Sequence, residues 1–278
     1  SVPSLPGSRN KRIETTKRRR PWYLHYGRRF FTFCILFYKY NALGNDFIFF
    51  EDKCILDSKQ ISLICRENEI GADGVVFISP SSKYDAKFEI YNKDGNRALV
   101  CGNALRALAY HLINIKKIKK DNFIIESGKE KYEIGKLNNE YYVKFKHPEI
   151  ISISNSGAII KAPNLHMIKL VDKIDIARLY EVGLSFKDYL NTHEIMKVNN
   201  NTFAFISFEK GVGLTDSCIS GAISAYEFLN KINFGCQKMV FKTIGGDINL
   251  EGDNNFIKAS GIIKLVYKGE IYEDYFCA

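Results

Sequence analysis

No stretch of the 278-residue chain approaches the roughly 18 to 20 consecutive apolar residues that a membrane-spanning helix needs. An apolar run at residues 30–38 is too short to cross a bilayer and instead predicts a buried strand. A secretory signal is also lacking, because no segment combines a charged start, an apolar middle and a small-residue cleavage site. These absences argue against a membrane partner and indicate a reducing compartment, with the cytoplasm as the expected location.

The seven cysteines lack the spacing of a metal site or a disulfide framework. No CxxC pair occurs, and no cysteine stands in a cluster with histidine at zinc-ligand spacing. We therefore predict no bound metal and no structural disulfides. Five of the cysteines are expected to be small buried hydrophobic residues, namely Cys34, Cys54, Cys65, Cys236 and Cys277.

The net charge of +9 is concentrated near the N-terminus. Residues 1–35 contain nine lysines and arginines but one acidic residue, so the rest of the chain is nearly neutral. The run of basic residues at 17–20 is typical of a disordered tail, and we predict that residues 1–35 are a disordered leader or an engineered or targeting segment. Organellar targeting by this leader stays open. Nucleic acid is not the expected partner, and the alternative of another class is a non-catalytic module tethered to nucleic acid by the leader.

The body of the chain has the composition of a soluble globular protein, with 46% hydrophobic and 26% charged residues. In each half, short strand-like segments precede an apolar helix and a hairpin follows it. This repetition predicts an α+β fold of two homologous lobes that face each other across a cleft. The N-terminal lobe would span residues 36–148, with residues 264–278 returning to it, and the C-terminal lobe would span residues 149–263.

Two cysteines, Cys101 and Cys218, have similar surroundings in the two halves. Each stands ten residues after an aromatic residue, Tyr91 or Phe208, where a glycine-containing loop turns into an apolar helix. A helix N-terminus offers free N–H groups and a partial positive charge, which lower the pKa of a nearby thiol and bind anions. Two such helix starts could hold an amino-acid carboxylate with its α-carbon between two sulfur atoms.

This arrangement predicts racemase or epimerase chemistry. One cysteine, as thiolate, would remove the α-proton, and the other, as thiol, would give a proton to the opposite face of the carbon. The developing negative charge would flow into the carboxylate, where the N–H donors stabilise it. The scheme needs no cofactor, and its expected partner is a small amino-acid substrate.

The motifs around both cysteines resemble those of the diaminopimelate epimerase family, the cofactor-independent amino-acid racemases. The resemblance extends from about residue 36 to the C-terminus, and the order and spacing of the motifs make it specific. The motifs lie at residues 40–47, 70–76, 90–95, 101–103, 164–166, 191 and 209–218. Membership implies two pseudo-symmetric lobes, each a curved sheet around a central helix, with the active site between them. A homodimer stays open as the assembly.

The resemblance also implies roles for particular residues. Cys101 and Cys218 would be the acid and the base, with His166 assisting one thiol and Glu209 assisting the other thiol or the substrate amine. The backbone amides that bind the carboxylate would belong to Gly102, Asn103, Ile219 and Ser220. The side chains that bind the amino and carboxylate groups at the far end of the substrate would be Asn45, Asn92, Asn164, Asn191 and Lys210.

Several departures from the family pattern concern the substrate more than the proton transfer. Ile219 stands where the family has glycine, which predicts a reshaped carboxylate cradle. Lys210 stands where the family has an arginine, so a bidentate contact with a distal carboxylate is lost. Leu165 replaces a proline, and Tyr40 with Asn41 resembles the histidine racemases of the same fold.

Diaminopimelate is nevertheless the first predicted substrate, because the four asparagines, Glu209 and a cationic residue at Lys210 are retained. The alternatives are racemases of the same fold that act on histidine, a lanthionine-like thioether or a broader set of amino acids. An isomerase of the phenazine-biosynthesis type is disfavoured, because that type lacks the cysteine pair.

Overall fold

The computed structural model describes residues 22–25, 32–51 and 56–276. In the first half of this described chain the strands are β1 (Trp22–His25), β2 (Thr32–Ala42), β3 (Asn45–Glu51), β4 (Gly74–Ser79), β5 (Ala86–Asn92), β6 (Arg97–Ala98), β7 (Asn122–Ser127), β8 (Glu130–Leu137) and β9 (Glu140–Lys146). In the second half they are β10 (Glu149–Ser154), β11 (Gly157–Ala162), β12 (Asn164–Leu170), β13 (Asn191–Lys197), β14 (Thr202–Glu209), β15 (Gly213–Thr215), β16 (Lys238–Thr243), β17 (Gly246–Gly252), β18 (Phe256–Gly261) and β19 (Lys264–Tyr272). The α-helices are α1 (Ser58–Ile64), α2 (Gly102–Tyr110), α3 (Ile176–Phe186) and α4 (Ile219–Lys231). A π-helical turn (His111–Ile115) continues α2, and a 3-10 turn (Glu273–Phe276) follows β19.

The same order of strand pairings occurs twice along the chain. In the first half β2 pairs antiparallel with β3, β3 parallel with β4, β4 antiparallel with β5, and β5 parallel with β7. In the second half β11, β12, β13, β14 and β16 repeat these four pairings in the same directions. A three-stranded meander closes each half, and α2 and α4 occupy equivalent places before it. The predicted α+β fold of two pseudo-symmetric halves is confirmed.

Two antiparallel pairings hold the ends of these halves together. Strand β9 pairs with β18, so the last strands of the two meanders are neighbours. The final strand β19 lies along β2, with Lys264 opposite Asn41 and Tyr272 opposite Cys34. Strand β19 therefore belongs to the sheet of the first half, and the described strands form one continuous hydrogen-bonded sheet.

The core of the protein is built around α2 and α4. Helix α2 packs against β2, β8 and β9, α4 packs against β11, β12 and β17, and the two helices contact each other. Leu105 and Leu108 of α2 and Phe228 and Leu229 of α4 are fully buried. Burying one side chain of this kind stabilises the fold by about 1.5–3 kcal/mol, which holds both helices in the core. Among the described residues, no helix combines the length and the apolar character needed to cross a bilayer.

The sheet begins earlier than the sequence predicts. Strand β1 pairs with residues 32–35 of β2, so a disordered segment over all of residues 1–35 is wrong for these two stretches. The physical reason is that the basic run ends at Arg20 and is followed by residues of high β propensity, beginning with Trp22. The rest of the predicted leader, residues 1–21 and 26–31, lies outside the described residues.

His147 fastens the junction between the halves to α4. Its Nδ1 donates to Glu227 Oε2 at 2.7 Å and its Nε2 donates to the Asp253 carbonyl oxygen at 2.7 Å. Burial lowers the pKa of His147. The hydrogen bonds to the Glu227 carboxylate and the Asp253 carbonyl together raise it by more than burial lowers it, so the pKa lies above its usual value. Because the folded pKa is raised, this contribution to stability is present at acidic pH and is lost as pH rises through the folded pKa.

We therefore expect the free energy of unfolding to fall by less than about 1 kcal/mol between about pH 6 and pH 8 through His147, since the pair is partly exposed. The His147→Gln variant keeps the side-chain size without titrating and should lose this part of the pH dependence. Urea unfolding of both proteins at each pH measures the difference. If the free energy of unfolding changes equally with pH in the two proteins, His147 does not couple pH to folding.

Candidate active site

Cys101 and Cys218 occupy equivalent positions at the N-termini of the two central helices. Cys101 is the N-cap of α2, with φ −133° and ψ 118°, and Cys218 is the N-cap of α4, with φ −133° and ψ 106°. Each thiol therefore lies beside the first N–H groups of a helix, which have no partner within the helix. The predicted position of each cysteine at the start of a helix is thus observed.

The two helix starts touch each other through Ile219. A Cβ atom added to Gly102 would come within 2.8 Å of Ile219 Cγ2 and 3.2 Å of Phe145 Cζ, so the isoleucine packs directly on the glycine backbone. Ile219 is only 3% exposed. The side chain that departs from the family pattern thus fills the contact between α2 and α4, where it spaces the helix starts.

Ser217, the residue before Cys218, links the two halves by hydrogen bonds. Its Oγ donates to the Leu43 carbonyl oxygen at 2.7 Å and accepts from Asn103 Nδ2 at 3.0 Å and from Asn45 Nδ2 at 3.3 Å. One donor and two acceptor positions are all that a hydroxyl has, so Ser217 is fully used. Asn45 and Asn103, both predicted site residues, are thereby joined to the residue that precedes Cys218.

Cys218 is the more enclosed of the two thiols, at 4% exposed. It is hydrogen-bonded to the Glu209 carboxylate and lies 3.5 Å from Ser220 Oγ. Burial raises the pKa of Cys218 well above its usual value, and the nearby charge of Glu209 adds to this effect. Burial likewise raises the pKa of Glu209, although Thr215 Oγ1 donates to its Oε1 at 2.7 Å. Both groups therefore favour their protonated forms.

Cys101 is half-buried, and burial raises the pKa of its thiol to about 11. The backbone N–H groups of Asn103 and Ala104 and the charge of Arg106 act in the opposite direction, while Glu209 raises the pKa further. The sequence predicts a lowered pKa at a helix start. In the folded protein the loss of water outweighs the helix N-terminus.

His166 belongs to a buried chain of hydrogen bonds behind Cys218. Its Nε2 donates to the Ala162 carbonyl oxygen at 3.1 Å, so its Nδ1 accepts, and His193 Nε2 donates to that atom at 2.9 Å. Ser207 Oγ in turn donates to His193 Nδ1 at 3.0 Å. Burial lowers the pKa of His166 to about 4 and that of His193 well below its usual value, so both rings are neutral near pH 7.

Among the described residues, His166, His193 and Cys218 form a group that could hold a metal ion, since one nitrogen or sulfur atom from each lies within 4.8 Å of the others. The lone pair of His166 Nδ1 is already used by the hydrogen bond from His193. A metal ion would need that lone pair and would break the chain of hydrogen bonds. The observed contacts therefore fit positioning of the thiol better than metal binding.

The remaining predicted residues divide into two groups. Asn191 is buried, donates to His166 Nδ1 at 3.4 Å and accepts from the backbone N–H of Lys210 at 2.8 Å. Asn92, Asn164 and the Lys210 side chain are exposed, and within the described residues their side chains make no hydrogen bond. The structure thus joins Asn191 to the centre and leaves the other three at the solvent-facing edge.

Sequence reasoning missed three buried polar residues, namely Ser217, His193 and Arg106. Ser217 directly precedes a predicted catalytic cysteine, and His193 is two residues from the predicted Asn191, which places both on one face of β13. Their closeness in the sequence to the predicted site residues could have identified Ser217 and His193. Of the cysteines predicted to be structural, Cys34 and Cys65 are buried and Cys236 is half-buried, while Cys54 and Cys277 lie outside the described residues.

Comparison with solved structures identifies the class of fold. A solved phenazine-biosynthesis PhzF-family protein from Enterococcus faecalis matches with a TM-score of 0.65 at 16% identity, covering 85% of this chain and 98% of that one. A hydroxyproline epimerase from Agrobacterium vitis, solved with bound trans-4-hydroxy-L-proline, matches with a TM-score of 0.63 at 12% identity, covering 87% and 93%. These likenesses define the two-halved epimerase fold.

The sequence comparisons are more specific. A protein-family model described as diaminopimelate epimerase matches residues 37–151. The diaminopimelate epimerase of Methanococcus aeolicus is 26% identical, over 85% of this chain and 98% of that protein. The chain is therefore similar to diaminopimelate epimerases over most of its length, and the family model matches within its first half.

Proposed function

We propose that this protein is a pyridoxal-phosphate-independent amino-acid epimerase that interconverts LL- and meso-diaminopimelate, a step that supplies lysine and peptidoglycan precursors. The observation that carries the proposal is the equivalent placement of Cys101 and Cys218 at two helix starts that touch each other. The protein would act in the cytoplasm on a small-molecule substrate, with no membrane partner.

The reaction needs two groups in opposite protonation states. One cysteine, as thiolate, takes the α-proton, and the other, as thiol, delivers a proton to the opposite face, so the carbon is inverted and no net proton is consumed. The substrate carboxylate lies over the first N–H groups of α2 and α4, those of Gly102, Asn103, Ile219 and Ser220. These donors stabilise the negative charge that spreads into the carboxylate as the proton leaves.

The neighbours of Cys218 would assist its change of protonation state. Glu209 accepts the thiol hydrogen bond, and its raised pKa lets it hold a proton without a large energy difference. His166 is neutral near pH 7, so it acts as a hydrogen-bonding partner whose orientation is fixed by His193. Both residues lie on the Cys218 side, which makes the two thiol environments unequal.

Solvent isotope exchange tests the function directly. The reduced protein is incubated in D2O with LL-diaminopimelate, histidine and a panel of other amino acids, and exchange of the α-hydrogen is followed by NMR without added pyridoxal phosphate. Exchange with inversion is expected for LL-diaminopimelate. If no amino acid exchanges under reducing conditions, the chain is not an epimerase and a non-catalytic binding role becomes the better reading.

Lys210 separates a diaminopimelate epimerase from a histidine racemase of the same fold. Its backbone N–H is held by Asn191, while its ammonium group is exposed and free to meet a distal carboxylate. We expect Lys210→Ala to raise the KM for diaminopimelate by about tenfold, the value of one hydrogen bond to a charged group. Lys210→Arg should keep the KM low, and Lys169→Ala, another exposed lysine, serves as the control. An unchanged KM in Lys210→Ala would assign the distal group to another residue.

A further inference from the structure

The turn between β2 and β3 carries a leucine in a backbone conformation that leucine rarely adopts. Leu43 has a φ of 55° and Gly44 a φ of 87°, so both residues of this two-residue hairpin turn lie in the left-handed region. Glycine and asparagine adopt that region readily, but it crowds the Cβ atom of a bulky residue. A similar φ of 54° in the β8–β9 turn belongs to an asparagine, Asn138. Such strain persists only where surrounding contacts compensate for it, which points to a role for the Leu43 side chain.

The compensating contacts come from the second half of the chain. Leu43 is only 6% exposed, and its side chain lies among three glycines, Gly245, Gly246 and Gly261, which form a glycine socket. A Cβ atom added to Gly246 would lie 2.9 Å from Leu43 Cδ2, and one added to Gly261 would lie 3.2 Å from Leu43 Cδ1. A Cβ atom at Gly245 would collide with the Leu43 carbonyl group. The glycines therefore leave the space that the leucine fills.

The same turn holds the segment that leads to Cys218. Ser217 Oγ donates to the Leu43 carbonyl oxygen at 2.7 Å, and the backbone N–H of Gly245 donates to the Asp216 carbonyl oxygen at 3.0 Å. Leu43, Ser217 and Gly245 therefore make one set of contacts between the halves, which we call the Leu43 clamp. The residue that follows this clamp in the chain is Cys218.

Within the described residues, the first half has no matching clamp beside Cys101. The β11–β12 turn, which is equivalent to the β2–β3 turn, consists of the exposed Pro163. Val100, which precedes Cys101, has no side-chain hydrogen-bond donor. In the β7–β8 turn, a Cβ atom added to Gly128 would meet no described atom within 4 Å. The clamp therefore holds the surroundings of the second cysteine and leaves the first to its own helix.

We propose that Leu43 is a positioning residue for the proton transfer, because the clamp holds Cys218 against the first half and so fixes its distance from Cys101. This inference rests on the proposed two-cysteine function. Leu43 acts through Ser217, which is bonded to Cys218 and also accepts a hydrogen bond from Asn103 of α2. Loss of the leucine side chain would release the segment before Cys218. Cys101 would keep its place, since α2 packs within the first half against β2, β8 and β9.

Cysteine labelling tests the clamp without any substrate. The reduced, full-length protein is treated briefly with iodoacetamide at one mildly alkaline pH, and labelling of each cysteine is quantified by peptide mass spectrometry. In Leu43→Asn the asparagine suits the left-handed turn but cannot fill the glycine socket. The Cys218 to Cys101 labelling ratio is expected to rise about tenfold through local opening, because Cys218 is only 4% exposed in the clamped protein. Cys65, a buried cysteine in a separate part of the core, reports general opening and should label as in the wild type.

Two control variants separate the leucine side chain from general damage. Leu43→Met keeps an apolar side chain of similar size and should keep the wild-type labelling ratio. Leu137→Asn changes an exposed leucine beside the β8–β9 turn and should also leave the ratio unchanged. An unchanged ratio in Leu43→Asn, or equal increases in labelling at Cys65 and Cys218, overturns the proposal.

Ser217→Ala tests the clamp from its other side and serves even if Leu43→Asn does not fold. The variant removes the hydroxyl group that donates to the Leu43 carbonyl oxygen. The Cys218 to Cys101 labelling ratio should rise severalfold, in the same direction as in Leu43→Asn. A ratio that does not rise in Ser217→Ala counts against the clamp in the same way.

The isotope pattern connects the clamp with turnover. Leu43→Asn should slow inversion of diaminopimelate by about tenfold or more through kcat, since a small displacement of one reacting group is costly. Its remaining α-hydrogen exchange should occur in the same stereoisomer as in Cys218→Ala, and a match with Cys101→Ala instead would overturn the proposal. Because labelling requires no turnover, a raised ratio in Leu43→Asn without isotope exchange in the wild type would refute the proposed function while supporting the clamp.

Discussion

Replacing either Cys101 or Cys218 by alanine is expected to reduce the rate of diaminopimelate inversion by about 10³-fold or more, at the upper end of what general acid–base groups contribute. The two thiols lie at equivalent helix starts in opposite halves, and in the proposed mechanism each serves one face of the α-carbon, so neither can replace the other. The loss should appear in kcat, because the carboxylate still meets the N–H groups of both helices. Steady-state rates measured in both directions check this expectation.

The isotope pattern distinguishes loss of one thiol from general damage. The wild-type enzyme should place solvent deuterium at the inverted carbon. Each single variant should exchange at most one stereoisomer, slowly and with retention, because the remaining thiol removes and returns the proton on one face. Cys65→Ala is the control, since Cys65 is a free, buried cysteine in a separate part of the core and should leave the rate unchanged. Inversion at an undiminished rate in either site variant would exclude the two-thiol mechanism.

The fold was largely predictable from sequence where local patterns and tertiary packing agree. The hairpin between β8 and β9 turns at Asn138, which has a φ of 54°, a conformation that asparagine tolerates. Helix α1 was missed because it is only seven residues long and buries two side chains, so its best signal was the capping box of Asp57 and Gln60. Helix α3 was missed because Val182 and Gly183 in its interior are poor helix formers, and its exposed face also carries apolar residues such as Tyr180 and Leu184.

The site was less predictable, because it depends on strand register between distant segments. His166 lies opposite Asn191 in the parallel pairing of β12 and β13, and His193 lies opposite Ser207 in the antiparallel pairing of β13 and β14. Only this combination lines up the hydrogen-bonded chain behind Cys218. Local sequence shows which residues can titrate but does not show which ones the sheet buries together, and Arg106 was missed for the same reason.

Replacing Gly221 by alanine is expected to destabilise the protein by about 1–3 kcal/mol, the usual cost of overpacking a core. Glycine to alanine inside an exposed helix would instead stabilise by about 1 kcal/mol. The substitution destabilises the protein here because the new Cβ would lie 2.5 Å from His193 Cε1. That ring cannot move away easily, since it is hydrogen-bonded to His166 and Ser207. Since Gly221 lies three residues after Cys218, the displaced helix start should also slow α-proton exchange by about tenfold or more.

A double-mutant cycle isolates the collision between Gly221 and the imidazole. His193→Ala alone removes the ring and its hydrogen bonds, and Gly221→Ala alone introduces the clash. If the ring is the obstacle, the double variant should be more stable than the sum of the two single effects predicts, by about 0.5–3 kcal/mol. Urea unfolding of the four proteins measures this coupling. If the two single effects are strictly additive, the alanine is accommodated by movement of α4. The position of Cys218 relative to the buried histidines would then not depend on a small residue at position 221.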